Sequence, residues 1–145
     1  MNKINDILKA YAKANSDEYT GNDYLFVKMS DDPDASINTT FRSYVKLKDE
    51  EETTLHLLTD WTRDFFDHPS CFLEGWFYDP IPDHPYHGKE IVQFIISLII
   101  EEIGTQPTEV YSVHVHPDGY YACAFEEYVF KANSGLYLFS MQTHD

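Results

Sequence analysis

The most apolar stretch of the chain covers residues 89–104, and the spacing of its polar side chains predicts an α-helix. These polar residues recur at steps of three, four and four, which places them on one stripe of a helix: Glu90, Gln93, Ser97 and Glu101. Large aliphatic side chains and one phenylalanine fill most of the remaining circumference, so the helix must be enclosed on more than one side. Gly104 and Pro107 predict its end. We therefore expect a central buried helix over residues 89–103.

The N-terminal part of the chain predicts a short helix followed by a strand. Apolar residues between positions 3 and 14 recur at helical spacing with lysines turned outward, which predicts an amphipathic helix. Residues 24–29 have the composition of a strand. Turn-forming residues at 31–36 then predict a solvated hairpin loop. A calcium loop is disfavoured there because Pro33 intrudes and the required central glycine is missing.

Two segments follow before the central helix. In residues 41–48, mostly apolar side chains at odd positions alternate with basic and aromatic side chains at even positions. This period of two predicts a half-exposed antiparallel strand. Residues 52–67 keep a helical rhythm of apolar positions, and the run of acidic residues at 49–52 suits a helix N-terminus. They predict a helix, although residues 53–57 also fit a strand that leads into a shorter helix, and the sequence leaves this alternative open.

Residues 70–88 predict an ordered but irregular loop. Its prolines and glycines forbid a long regular element. Its tryptophan, tyrosine and phenylalanine content is too high for a disordered linker. Long ordered loops often carry function, and this one has room for a single strand over residues 72–78.

The C-terminal part predicts an antiparallel meander of strands over residues 109–116, 120–130 and 136–142. A three-residue turn ending in glycine would place His116 opposite Tyr120. The face that carries Tyr111, Val113, Cys123 and Phe125 would then pack on the central helix. The chain thus predicts one α+β domain over residues 1–145. In it, a three-stranded meander packs on a helix over residues 89–103, with a short N-terminal helix and a helix near residues 52–67.

The charge is large and unevenly placed. The net charge is −15; residues 1–48 carry seven acidic and seven basic residues, whereas residues 49–145 carry eighteen acidic and three basic residues. Such a field repels nucleic acids and anionic lipids and attracts basic proteins or metal ions. The 11 tyrosines, 10 phenylalanines and 2 tryptophans supply candidates for both core and interface.

Targeting signals and cysteine usage indicate a cytoplasmic protein. The N-terminus lacks the uninterrupted apolar run of a signal peptide, and the apolar run of the central helix is too short to cross a bilayer. Cys71 and Cys123 do not form a CxxC pair, and a chain of 145 residues folds without a disulfide, so both are expected to be reduced.

Candidate chemistry is sparse. His84, His87, His114 and His116 offer a metal-dependent enzyme as one alternative, but their spacing is far less specific than HExxH. Cys71 beside His68 lacks the context of a catalytic thiol, and no nucleotide-binding glycine motif is present. Adjacent acids such as Glu126 and Glu127 are expected on the solvated surface. We therefore expect no enzymatic activity, no metal and no cofactor.

A second alternative is a nucleic-acid-binding sheet. The outer face of the predicted strand over residues 41–48 would carry cations interleaved with an aromatic ring: Arg42, Tyr44, Lys46 and Lys48. The net charge of −15 opposes the approach of phosphates to this face. Cations on an edge strand also protect against sheet-to-sheet aggregation, and this structural role is favoured.

In size, acidity and absence of catalytic motifs, the chain resembles the immunity proteins of bacterial contact-dependent growth inhibition and related toxin systems. The resemblance implies binding and neutralisation of one cognate secreted toxin, commonly a basic nuclease or ribonuclease, by blocking its active site or substrate groove. No direct contact with nucleic acid or membrane is expected. We predict that the contact surface is formed by the loop and its acids: Asp64, Asp67, Glu74, Trp76, Tyr78, Asp79, Asp83 and Tyr86.

Overall fold

The computed structural model describes residues 2–145, which form an α+β fold, as predicted. The elements in chain order are α1 (Asn2–Ala14), β1 (Gly21–Ser30), α2 (Ile37–Val45), β2 (Glu52–Leu57), α3 (Trp61–Asp67), α4 (Leu73–Trp76), α5 (Lys89–Ile103), β3 (Glu109–His116), β4 (Ala124–Ala132) and β5 (Gly135–His144). Within residues 2–145, no helix combines the length and the apolar character that crossing a membrane requires.

The five strands form one antiparallel sheet in the order β1-β5-β4-β3-β2. The C-terminal meander of β3, β4 and β5 is confirmed, and β1 and β2 complete its two edges. Both faces of β4 and β5 are covered, which explains why these strands read as nearly continuous apolar runs instead of alternating patterns.

One face of the sheet packs on α5 and the neighbouring helices. The predicted helix over residues 89–103 is confirmed with the same bounds, and Gly104 ends it in the left-handed conformation at φ 89°. Its predicted polar stripe is exposed. The apolar side chains of α5 share a core with the inner faces of α1, α3 and α4 and with aromatic rings of the sheet. The predicted N-terminal amphipathic helix is likewise confirmed as α1.

The predicted strand over residues 41–48 is wrong, because these residues form most of α2 and the turn after it. The Ser36 side chain accepts a hydrogen bond from the Thr39 backbone N–H and so caps the helix N-terminus. Ile37, Phe41 and Val45 recur every fourth residue and pack on the second face of the sheet, where the Phe41 side chain is fully buried. The turn formers at residues 31–36 therefore connect a strand to a helix, and the predicted hairpin there is wrong.

The helix predicted over residues 52–67 is confirmed only in its second half. Residues 52–57 form β2, which pairs with β3, and α3 begins at Trp61. The alternative of a strand leading into a shorter helix is therefore correct. The single strand considered over residues 72–78 is absent, and α4 lies there instead.

The predicted register of the β3–β4 hairpin is displaced by four residues. Val113 pairs with Glu127 instead of Cys123, because residues 117–123 form a longer loop and β4 begins only at Ala124. The side of β3 that carries Val113 and Val115 packs in the core around Phe41, on the face opposite to α5. Cys123, predicted on this apolar face, is exposed in the loop.

Candidate interaction surface

The predicted contact residues lie on or beside one continuous loop, residues 67–88, which we call the acidic aromatic loop. It leaves the end of α3, includes the short helix α4 and enters α5. Six of the predicted residues are exposed: Asp67, Glu74, Tyr78, Asp79, Asp83 and Tyr86. Asp64 and Trp76 are half-buried. The loop contains no lysine or arginine, so its exposed charges have one sign.

Buried side chains hold the base of the loop in place. Leu73 and Phe77 are fully buried in the main core, and the Gly88 backbone N–H donates to the Phe77 carbonyl at 2.7 Å. The loop is therefore closed at its C-terminal end by a backbone hydrogen bond and attached to the core by two apolar side chains. This attachment explains how a segment so rich in proline keeps an ordered course.

Glu126, in the middle of the sheet, anchors the first part of the loop. Its carboxylate accepts the Phe72 backbone N–H at 3.0 and 3.1 Å and the Trp76 Nε1–H at 3.1 Å. It also accepts the Tyr128 hydroxyl. The Trp76 carbonyl in turn accepts the Tyr24 hydroxyl at 2.5 Å. Trp76 is thus a structural member of the surface, held from both its indole and its backbone.

Helix α1 and the residue directly after it anchor the second part of the loop. Asn15 exchanges two hydrogen bonds with the backbone of Asp79: its Nδ2 donates to the carbonyl at 3.1 Å and its Oδ1 accepts the N–H at 2.8 Å. The Tyr11 hydroxyl lies 2.9 Å from the His84 carbonyl oxygen and 2.6 Å from the Tyr86 carbonyl oxygen. Side chains that are distant in the sequence therefore fix the backbone that carries the exposed acids and rings.

Three large rings project from this fixed backbone. Phe72 is 68% exposed, Tyr78 71% and Tyr86 47%. Sequence reasoning selected both tyrosines and missed Phe72, because an apolar residue beside Leu73 and Cys71 gave no reason to expect exposure. Exposed aromatic rings among acids have the composition of interface hot spots, which favour aromatic anchors surrounded by a polar rim.

Two of the predicted acids have local partners that reduce their freedom. The Asp64 Oδ2 accepts the Asp60 backbone N–H at 3.1 Å at the start of α3. Asp67 lies 3.3 Å from the Arg63 guanidinium in an exposed ion pair one helical turn away. Glu74, Asp79 and Asp83 have no ion pair among the residues that the structure describes, so the middle of the loop carries the unneutralised charge.

The adjacent acids Glu126 and Glu127 are buried, which corrects their predicted place on the solvated surface. Glu126 is 7% exposed and Glu127 1%. Because successive residues of a strand point to opposite faces, Glu126 anchors the acidic aromatic loop and Glu127 accepts Tyr121, Ser140 and Gln142 on the other face. Burial raises the pKa of both carboxyl groups, and their hydrogen bonds oppose this shift.

The four histidines of the metal alternative do not come together as one ligand set. His84 and His87 lie in the acidic aromatic loop, whereas His114 and His116 lie on β3, where their ring centroids are 4.7 Å apart. Across residues 2–145, no group of three or more histidine, cysteine, aspartate or glutamate side chains is arranged to hold a metal ion.

A further histidine pair, missed at the sequence level, joins β2 to the end of α3. The His56 and His68 Nε2 atoms are 3.1 Å apart. His68 Nδ1 accepts the Ser70 backbone N–H at 3.0 Å, so the proton of the neutral His68 ring resides on Nε2 and is donated to His56. A histidine that binds a metal through Nε2 normally donates its Nδ1–H instead. The pair is therefore arranged as a hydrogen bond between rings.

The residues of the nucleic-acid alternative do not share one face of a strand. Arg42 lies in α2, and its guanidinium donates to the carbonyls of Glu51 and Lys48, at 2.9 Å for the latter. It thereby closes the turn after α2. Tyr44, Lys46 and Lys48 are exposed near the end of that helix.

Neither cysteine forms a disulfide. Burial raises the pKa of the Cys71 thiol to about 11, so the thiolate needed for nucleophilic chemistry is disfavoured. The exposed Cys123 donates to the Asp145 carboxylate at 3.1 Å.

The candidate surface is thus a loop with a fixed backbone that carries acids without ion-pair partners and three exposed aromatic rings. No protein-family model, curated protein or solved structure matches this chain.

Proposed function

We propose that this protein is an immunity protein that binds and neutralises a cognate toxin domain with a basic surface, in the first instance a nuclease. The observation that carries the proposal is the acidic aromatic loop, in which exposed acids and rings stand on a backbone held by the side chains of Tyr11, Asn15 and Glu126. The absence of lysine and arginine from the loop and the net charge of −15 support a cationic partner.

The proposed mechanism is competition for a phosphate-binding groove. A nuclease requires a basic groove to hold its substrate, and Glu74, Asp79 and Asp83 would occupy that groove as surrogates for phosphates. Opposite fields raise association rate constants toward roughly 10⁸ M⁻¹s⁻¹ at low salt. Phe72 and Tyr78 would then slow dissociation by burying their rings.

The fixed backbone favours a tight complex. Ordering a flexible loop on binding costs about 0.5–1.5 kcal/mol for each immobilised side chain, which weakens affinity. Here Asn15, Tyr11 and Glu126 hold the loop backbone in the free protein, so the cost of ordering the backbone is met during folding and only the exposed side chains remain to be ordered.

Co-expression tests the proposal. The variable C-terminal domain of a large secreted effector encoded directly upstream would be expressed in a sensitive bacterium, with and without this protein. We expect rescue by the wild-type protein and loss of rescue when Glu74, Asp79 and Asp83 are all changed to lysine. No rescue from any cationic toxin domain would contradict the proposal.

A matched control separates the surface from net charge. Glu18, Asp49 and Glu50 are exposed acids outside the loop, and changing all three to lysine alters the net charge by the same amount. We expect rescue to persist in this control. Equal loss of rescue in both triple variants would mean that the loop is not the contact surface.

A further inference from the structure

Two clefts flank the exposed ring of Phe72, and both reach Glu126. The first, of about 500 Å³, runs between β1 and α4 and is lined in part by Tyr24, Trp76 and Ala124. The second, of about 460 Å³, lies over β2 and β3 and is lined in part by His56. Both volumes are within the range of pockets that hold small ligands. Neither cleft is lined by a lysine or an arginine.

We propose that these clefts receive arginine side chains of the partner, with the guanidinium groups stacked on Phe72 and placed beside the Glu126 carboxylate. The inference rests on the proposed function, because it names the chemical group through which a basic partner would be held. It adds a specific residue, Glu126, that lies outside the predicted set of contacts.

The hydrogen bonds of Glu126 all come from neutral donors. A carboxylate offers about four acceptor positions. The Phe72 N–H is shared by both oxygens, the Trp76 Nε1–H donates to Oε1 and the Tyr128 hydroxyl to Oε2, so neutral donors fill these positions. Within residues 2–145 no cation forms an ion pair with Glu126. A buried carboxylate that has only neutral partners and borders a cleft attracts a cation from outside.

The lining favours arginine over lysine. A guanidinium group is planar, stacks on aromatic rings and donates hydrogen bonds in its own plane, whereas an ammonium group is a compact, strongly hydrated charge. Phe72 offers its ring from the exposed side, and Trp76 and Tyr24 meet edge to face at 5.8 Å in the first cleft. Cation–π attraction is strongest where the cation is partly removed from water, as it would be between these rings.

Burial of Glu126 supports the same choice of ligand. Loss of solvent raises the pKa of its carboxyl group and so disfavours the charged form in the free protein. An arginine placed in the cleft would favour the charged form, so binding and ionisation of Glu126 would reinforce each other. The neutral donors keep the carboxylate oriented in either state.

The test uses the free protein and the probe Nα-acetyl-L-arginine amide, which carries one positive charge and no carboxylate. Backbone and indole N–H resonances would be followed by NMR during titration, with sodium chloride at matched ionic strength as the blank. We expect saturable shifts largest at Phe72 N–H and Trp76 Nε1–H, with a dissociation constant in the millimolar range. Nα-acetyl-L-lysine amide should bind several-fold more weakly.

Glu126→Gln is the first test variant. Its amide oxygen can still accept the N–H groups of Phe72 and Trp76, while its NH₂ group faces the Tyr128 hydroxyl, so the charge is removed and the anchor is kept. We expect affinity for the arginine probe to fall at least tenfold. Unchanged affinity, or wild-type shifts no larger than those in sodium chloride, would overturn the inference.

Ala124→Lys provides a second test that does not alter Glu126. Ala124 is exposed, lines the first cleft and lies two residues before Glu126 on the same strand face. A lysine there would place a tethered cation in the cleft and compete with the probe, whereas Ala124→Gln adds comparable bulk without charge. We expect weakened binding in the lysine variant alone. Equal binding in the two variants would contradict the inference.

The probe titration and the co-expression test can each fail without the other. The probe assay contains no toxin domain, and rescue by co-expression contains no probe. Rescue that depends on Glu74, Asp79 and Asp83 together with no probe binding would reject the arginine clefts alone. Probe binding without rescue from any toxin domain would reject the immunity function alone.

Discussion

Replacing Glu126 with alanine tests whether this one carboxylate holds the acidic aromatic loop on the sheet. The substitution removes the acceptor of the Phe72 backbone N–H, the Trp76 indole N–H and the Tyr128 hydroxyl. The Tyr128 side chain is fully buried, whereas Phe72 and Trp76 border clefts that water can enter. We therefore expect both a global loss of stability and a local loosening of the loop.

The size of the stability loss follows from the number and exposure of the hydrogen-bond donors that lose their acceptor. A buried donor without a partner costs about 1–3 kcal/mol, and access to water reduces that cost. Tyr128 should contribute most, and Phe72 and Trp76 less. Relief from burying a carboxylate without a cation offsets part of the loss. We expect a net decrease of about 2–4 kcal/mol in the free energy of unfolding for Glu126→Ala, and of less than about 1 kcal/mol for Glu126→Gln.

Urea unfolding followed by tryptophan fluorescence and circular dichroism measures the global effect. With a urea m-value of about 2 kcal/mol/M for a chain of this size, the midpoint of Glu126→Ala should fall by about 1–2 M. Hydrogen exchange measures the local effect, which should be fastest at Phe72 and Trp76. An alanine variant as stable as wild type would refute the reasoning. So would a glutamine variant as unstable as the alanine variant, because the anchor would then not depend on hydrogen-bond acceptors.

Three further predictions concern other parts of the molecule. Gly135 has φ 140° and a Cβ there would lie 2.1 Å from a backbone carbonyl oxygen of β1, so Gly135→Ala should lower stability by about 2 kcal/mol or more in urea unfolding. Gly119→Ala, at φ 96° with open space, should cost only about 1 kcal/mol, and equal effects would contradict the close approach. In a thiol-reagent assay at pH 8, Cys123 should react in the folded protein and Cys71 only after unfolding, since burial raises the pKa of Cys71 to about 11. Rapid reaction of both cysteines in the folded protein would contradict this prediction. Because burial raises the pKa of Glu127 above its ordinary 4.5, its contribution to stability is complete below pH 4.5 and is lost as pH rises through the folded-state pKa. The urea midpoint of Glu127→Gln should therefore rise with pH relative to that of the wild-type protein. A difference between the two midpoints that stays constant from pH 4 to pH 8 would contradict this prediction.

The helix α5 could be predicted to the residue because its signal is local. Polar residues every third or fourth position expose one stripe, and Gly104 ends the helix in the left-handed conformation that glycine adopts readily. Neither feature depends on distant parts of the chain. The pattern and the structure agree for that reason.

Helix α2 was missed although its signal is also local. Alternation over residues 41–48 resembles a strand only when the count begins at Phe41. The helical stripe begins at Ile37, between the predicted hairpin loop and the predicted strand, and Ser36, the last residue of that loop, caps the helix. A boundary placed one turn too late therefore changed the apparent period from that of a helix to that of a strand.

The sequence predicted the composition of the candidate surface but not the hydrogen bonds that hold it on the sheet. Acids and tyrosines of the loop are visible in the sequence, whereas the anchor is not, because Phe72 and Trp76 lie 54 and 50 positions from Glu126. A pair of adjacent glutamates is usually solvated, so only the fold reveals that each serves a different face of the sheet. The four-residue displacement of the hairpin was hidden in the same way, because the Tyr121 hydroxyl in the loop before β4 donates to Glu127, a residue that the sequence placed on the surface.

The most direct test of the central claim is the affinity of the purified protein for the proposed cognate toxin domain, measured by titration calorimetry at physiological salt. If the acidic aromatic loop is the contact surface, changing Glu74, Asp79 and Asp83 to lysine should weaken binding at least a hundredfold. Changing Glu18, Asp49 and Glu50 to lysine should weaken it less than tenfold. Equal effects of the two triple variants, or no binding by the wild-type protein, would contradict the account.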